Sequence, residues 1–274
     1  MRTGRLLGAG RTADVYELHA DEGESGADGP DGLGTVTGTA APGGAADRDG
    51  ADSHTGRGGR DGRTERGGGA WVLRRYRDGW GDAAAEAEVM EYVRGHGYPV
   101  PRVRSATRTE MVLEHLSGPT LLEACAAGRI APPEAGATLA HLLRALHAVP
   151  PRHRPGVRVL HLDLHPDNVV LTPHGPQVID WNNTEEGPPG LDWGVSATIL
   201  AQVAVDPTDP RAPLAHATLT SLLAHRPADT LTPHDLTEAI HRRASTPTMS
   251  SRETELLGRA EQLIRRVMSA EAEA

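Results

Sequence analysis

The stretch HLDLHPDN, residues 161–168, holds two histidines, two aspartates and one of only three asparagines in the chain. Twelve residues past Asn168, the run VIDW ends in Asp180 and Trp181. Three chemistries compete for these residues. His161, Asp163, His165 and Asp167 alternate, so a strand would turn all four to one face, as metal ligands require. Against a zinc site, Pro166 interrupts a regular strand, and no other compact His/Cys cluster is at hand to complete a metal shell. A polar loop with a purely structural role is the second reading.

The third reading uses two spacings together. Asp163 and Asn168 stand in a D-x-x-x-x-N relation with His161 two positions before the aspartate, as in a phosphoryl-transfer catalytic loop. That chemistry needs an acceptor for the proton of a substrate hydroxyl and oxygen ligands for Mg²⁺. A carboxylate at Asp163 and an amide oxygen at Asn168 supply the base and one ligand. A second carboxylate must arrive from nearby. VVLTPHGPQVID provides it, because two apolar runs around Pro173-His174-Gly175 form a hairpin that returns Asp180 to Asn168.

HLDLHPDNVVL followed by VIDW resembles the H-x-D-x-H-x-x-N … IDW signature of the aminoglycoside phosphotransferase and choline kinase-like family. The resemblance implies an α+β, protein-kinase-like two-lobe fold: a small antiparallel-sheet N-lobe with one helix (1–115) and a mostly helical C-lobe (116–274). It implies ATP and Mg²⁺ as cofactors, Asp163 as catalytic base, and Asn168 and Asp180 as metal ligands. His161 then buttresses the loop, His165 either supports the reacting groups from behind or is structural, and Asp192 in GPPGLDWG braces the catalytic loop. Trp181 and Trp193 read as core residues. LLGAGRTADVYEL resembles the glycine-rich loop, with Gly8 and Gly10 letting backbone approach the phosphates. EMVLEHLSG resembles the inter-lobe hinge, with backbone from Glu114 to Leu116 against adenine. One position departs from the pattern: AWVLRRYR places Arg74 where the family carries its ATP-positioning lysine. Arginine keeps the charge but is bulkier and forks. Family spacing gives Glu86 as its ion-pair partner, with Glu88 as second choice.

The elements that must position these groups are partly legible. RLLGAG and DVYEL read as strands about a glycine turn, and AWVLRRYR as a third. Between them, residues 20–69 hold sixteen of the 32 glycines and almost no large apolar side chain, a composition that reads as a disordered insertion at a hairpin tip. DAAAEAEVMEYVRGHG carries a helical stripe, Val89, Met90 and Val93, that stops at Gly95 or Gly97. Then come TEMVLEHL as a strand ending near Glu114 and Gly118 as a linker. APPEAGATLAHLLRALHAV lines up Leu139, Leu142, Leu143 and Leu146 as a helix. A helix follows N-cap Thr232 and Pro233. Another follows Ser250 and Glu253, which have capping-box spacing.

Composition narrows the function classes. The formal charge of −9 argues against nucleic acid and against an anionic membrane surface. A lone Cys125 provides no internal disulfide and fits a reducing compartment. No run approaches the roughly 18 apolar residues of a membrane span, and the first ten residues lack a signal-peptide core. A soluble, cytoplasmic chain is the expectation. Lysine and phenylalanine are both absent, which fits the codon bias of a GC-rich genome. The function expected is a kinase acting on a small-molecule hydroxyl, such as that of an aminoglycoside, another amino alcohol or a sugar. A nucleotide-binding pseudokinase or regulatory module is the alternative, favoured by Arg74 and the insertion. From Asn182 onward, thirteen acids against eight arginines would suit a cationic acceptor. The sequence carries no signal for an oligomeric state.

Overall fold

The computed structural model describes residues 2–10, 12–19, 70–77, 81–247 and 249–272. The 20–69 insertion lies outside the described residues. Residues Met1–His19 and Gly69–Ala274 belong to one compact unit.

Its first half is a five-stranded antiparallel sheet. The strands are β1 (Arg2–Ala9), β2 (Ala13–His19), β3 (Trp71–Tyr76), β4 (Val103–Ala106) and β5 (Glu110–Glu114), and they lie side by side in the order β1-β2-β3-β5-β4. β3 is therefore the central strand, with Arg74 opposite Val15 on one side and Met111 on the other. Alternation turns Leu73 and Arg75 to the face opposite Arg74. Between β3 and β4 comes α1 (Ala83–Gly95), capped by Asp82, whose carboxylate accepts from the amides of Ala84 and Ala85. Val89, Met90 and Val93 are all buried, and they share their helix face with Glu86.

Past β5 the chain crosses at Gly118. Its φ is +147°, and a Cβ there would sit 1.9 Å from the Leu171 carbonyl oxygen, so only glycine fits. The second half is mostly helical: α2 (Leu121–Ala126), α3 (Pro132–Ala148), α4 (Pro189–Ala204), α5 (Ala212–Ala224), α6 (Pro233–Ala244) and α7 (Ser251–Ala272). Thr232 and Asp235 form a capping box on α6. Ser250 and Glu253 exchange the same pair of bonds at the start of α7. α4 packs against α5, α6 and α7 and is apolar nearly all round, so it runs through the middle of the helical core. No helix among the described residues is long and apolar enough to cross a membrane.

The chemistry-bearing segment threads between these halves. After β6 (Arg158–Leu160) comes the loop 161–165, then a 3₁₀ turn, Pro166–Asn168. A hairpin of β7 (Val169–Thr172) and β8 (Gly175–Val178) follows. The expected turn at 173–175 thus returns the chain, and the Ile179 amide donates to the Asn168 carbonyl at 3.0 Å. β9 (Glu185–Gly187) closes back on β6.

Candidate active site

Asp163 sits in the loop that follows β6. The Asn168 side-chain amide donates to the Asp163 carbonyl at 2.9 Å and lies 3.4 Å from its carboxylate. This bond holds the amide nitrogen and leaves the Asn168 side-chain oxygen as its remaining polar atom. His165 places Nε2 3.9 Å from Oδ1 of Asp163, too far for a hydrogen bond. His165 Nδ1 accepts from the Asp167 amide, so Nε2 carries the proton of the neutral ring. Burial lowers its pKa to about 4, against an opposing pull from Asp167. His165 is neutral at pH 7.

His161 is fully buried. Its Nδ1 accepts from the Asp163 amide at 3.2 Å, so its Nε2–H donates to the Ile179 carbonyl at 3.1 Å. One ring therefore ties the residue before Asp180 to the backbone of Asp163, and it packs edge-on against Trp181. Burial lowers the pKa of this ring too. Neither histidine joins a metal cluster; among the described residues no group of three His, Cys, Asp or Glu side chains could hold an ion.

Asp192, in the first turn of α4, lies beneath the loop with no solvent exposure. Its carboxylate accepts from the amides of His161 at 3.0 Å and Leu162 at 2.8 Å. His147, from the last turn of α3, places Nε2 3.0 Å from it. Burial raises the carboxyl pKa, but these contacts outweigh it and hold the group below the usual range. The support is needed because Leu162 adopts φ +60°, a left-handed conformation that is costly for a leucine.

Asp180 also has a left-handed backbone, φ +66°. Nη2 of Arg74 lies 2.6 Å from its Oδ1, and Nη1 of the same guanidinium lies 2.7 Å from Oε1 of Glu86. Glu86 is buried; it also accepts from the Tyr76 hydroxyl and, at 2.9 Å, from the Trp181 amide. Burial pushes the Glu86 carboxyl up, while Arg74, Tyr76 and Trp181 pull it back. Burial alone would lower Arg74, but Asp180 and then Glu86 outweigh it, and the net shift is upward. Glu88, the second choice, is exposed and pairs with Arg152, at 3.4 Å.

A cleft of about 1150 Å³ gathers these groups; Gly8, Gly10, Arg74, Glu86, Glu114, Leu116, Asp163, Asn168 and Asp180 all line it. The Gly10 amide closes the loop onto the Ala13 carbonyl at 2.8 Å, and a Cβ on Gly8 would meet nothing within 4 Å. The Glu114 side chain is turned to Arg102, and the amides of Glu114 and His115 donate to the carbonyls of Arg102 and Ala70 at 2.9 Å each, which leaves the Leu116 amide as the backbone donor of 114–116 for a ligand. Trp181 and Trp193 are buried at 1% and 0% exposure and serve the core.

Sequence reasoning missed two participants and one contact. Tyr76 shares the Arg74 face of β3, so period-2 alternation could have found it. His147 ends a helix with no motif around it. The Arg74–Asp180 contact joins residues 106 apart and left no local signal.

A central antiparallel sheet with one helix, a helical second half and an oxygen-rich loop between them make up an α+β, kinase-like architecture. Residues 58–160 and 151–230 match the model of the phosphotransferase enzyme family, APH, which is more than half of the chain. The protein belongs to that family. No curated protein sequence matches it. Among solved structures, it is similar to an ethanolamine kinase from Plasmodium vivax at 10% identity, over 73% of this chain and 71% of that one, with a TM-score of 0.43. It is also similar to the amicoumacin kinase hAmiN in complex with AMP-PNP, Ca²⁺ and Ami at 13% identity, over 96% and 87%, with a TM-score of 0.47.

Proposed function

We propose that this protein is an ATP- and Mg²⁺-dependent kinase that transfers the γ-phosphoryl group to a hydroxyl of a small molecule. One observation carries the reading: Asp163, Asn168 and Asp180 open into the same cleft as the glycine loop and the 114–116 backbone. The donor set fits the metal. The Asn168 amide oxygen and the Asp180 carboxylate are hard oxygen ligands, as Mg²⁺ prefers. Bound MgATP supplies the electrophilic phosphorus.

The chain's own residues do the rest. Asp163, held by Asn168 and the His161–Asp192 frame, orients the acceptor hydroxyl and takes its proton as the oxygen bonds to phosphorus and ADP leaves. Arg74 presents a fixed positive charge on the central strand, suited to the α- and β-phosphates. Gly8 and Gly10 leave room for phosphates against the backbone, and 114–116 offers backbone groups to the base. Catalysis on this account is positioning and charge neutralisation.

The Arg74–Asp180 contact favours one second reading, a nucleotide-binding protein without turnover, because the arginine already occupies the carboxylate that metal would take. Melting shifts with MgATP, read beside ATP consumption across an acceptor panel, separate the two. Binding without consumption supports the second reading.

A further inference from the structure

Arg74 and Tyr76 stand two positions apart on β3, so the pleat turns both to the same face. The guanidinium carbon of Arg74 lies over the Tyr76 ring, 5.0 Å from its centroid, within the range of an attractive cation–π contact. The Tyr76 hydroxyl donates to Oε2 of Glu86. Oε1 of the same carboxylate accepts from Nη1 of Arg74 at 2.7 Å and from the Trp181 amide at 2.9 Å. The three side chains thus close a ring of contacts: tyrosine to glutamate, glutamate to arginine, arginine back onto the tyrosine. Exposure is 5% for Tyr76, 8% for Arg74 and 4% for Glu86, so little water is at hand to replace a lost partner. Burial and the Glu86 charge hold the Tyr76 hydroxyl well above its usual pKa, so it stays protonated and remains a donor.

The tyrosine is the fixed member of the three. Its amide donates to the Thr109 carbonyl at 2.8 Å, and its backbone pairs with Ala13 across the sheet. Gly81 approaches the ring so closely that a Cβ there would fall 2.5 Å from Cε1. Neither Arg74 nor Glu86 takes part in these contacts. Arginine, by contrast, has a long rotatable stem, and holding it in one geometry costs conformational entropy. Arg74 and Glu86 line the cleft, whereas Tyr76 does not. Without the hydroxyl, Oε2 would lose a donor in a buried place, and the unmet oxygen would draw the neighbouring Arg74 fork toward itself and out of the cleft.

We infer that Tyr76 is a positioning residue for the phosphates of the nucleotide: it touches no substrate, and it fixes the Glu86 carboxylate and the Arg74 guanidinium so that the fork stays aimed into the cleft. This rests on the kinase reading above and adds a residue to that site. Tyr76 also packs in the core. Packing alone does not require the hydroxyl, and it gives no reason for a mutation to act on phosphate binding while sparing the base.

Two probes separate positioning from packing: a non-hydrolysable ATP analogue with Mg²⁺, and adenosine, which has the base and no phosphate. Their dissociation constants are measured for wild type and variants by saturation-transfer NMR, which registers weak binding, with melting temperatures alongside. Tyr76→Phe keeps the ring and removes only the hydroxyl. It should weaken binding of the ATP analogue by about 3- to 30-fold, part of the worth of one hydrogen bond to a charged group, while adenosine binding stays in place. Tyr76→Leu removes the ring as well and should lose more on the ATP analogue; should it fail to fold, Tyr76→Phe decides alone. Equal losses for both probes would overturn the inference and leave Tyr76 a packing residue. So would a Tyr76→Phe variant with wild-type affinity for the ATP analogue. If wild type binds neither probe, the kinase reading itself falls, an outcome distinct from the other two.

Discussion

Nη2 of Arg74 lies 2.6 Å from Oδ1 of Asp180, and the other arm of the same fork holds Glu86. The residue standing where the family carries lysine thus spans two carboxylates, which a single ammonium cannot do in the same way. Arg74→Ala should raise KM for ATP or lower the rate by about 10- to 1000-fold, the scale of one lost charge-assisted phosphate contact plus lost positioning. Arg74→Lys should keep more activity than Arg74→Ala. Arg75, paired on the exposed face with Glu110 at 2.6 Å, should tolerate alanine with little effect. Kinetics that make Arg75 essential and Arg74 dispensable would place the strand register off by one.

The same geometry predicts a stability effect. Arg74→Ala leaves Glu86 buried without its cation, and removing one partner of a buried pair costs about 3–5 kcal/mol. Urea unfolding should show that loss, and Arg74→Ala combined with Glu86→Gln should recover part of it. A double variant no more stable than the single one would mean that the pair is not the source.

Asp192 predicts a separable defect. Its carboxylate accepts from two amides of a loop that holds Leu162 at φ +60°. Asp192→Asn replaces one acceptor oxygen with a donor facing an N–H, so stability should fall by about 1–3 kcal/mol. The rate constant kcat should fall more than KM for ATP rises, because the residue touches the loop and not the nucleotide. Equal changes in both parameters would argue against a bracing role.

These tests track what was legible. The catalytic loop and the Asp180 hairpin were readable because a tight turn converts sequence spacing directly into proximity. α1, α3, α6 and α7 announced themselves through caps and one-sided apolar stripes. α4 did not: most of its residues are buried, so it has no polar face to set a period. β4 is four residues long, with two of them exposed, and offered no alternation to count.

Acid should destabilise the fold through His165. Its folded-state pKa is about 4, below the ordinary 6.5, so between these values the unfolded chain binds the proton and the folded chain does not. Stability is therefore present above about 6.5 and lost as pH falls toward 4, by roughly 3 kcal/mol at most. Buried His161, also lowered, acts in the same direction. Urea unfolding of wild type and His165→Gln across this window should give a shallower acid loss in the variant. Parallel curves would show that His165 titrates normally.

The central claim is that Asp180 is the metal-binding carboxylate of an active kinase, and its direct test is phosphoryl transfer by Asp180→Asn. Asparagine suits the site, because it tolerates the left-handed backbone of φ +66° better than alanine would. Wild type and variant are incubated with Mg²⁺, γ-labelled ATP and the acceptor panel, and label is followed into the products. The account predicts label on an acceptor with wild type and none above background with the variant. The melting temperature of the variant should stay within a few degrees of wild type, as expected for a loss near 1 kcal/mol. Undiminished transfer by folded Asp180→Asn would contradict it, as would a wild type that binds MgATP yet labels no acceptor.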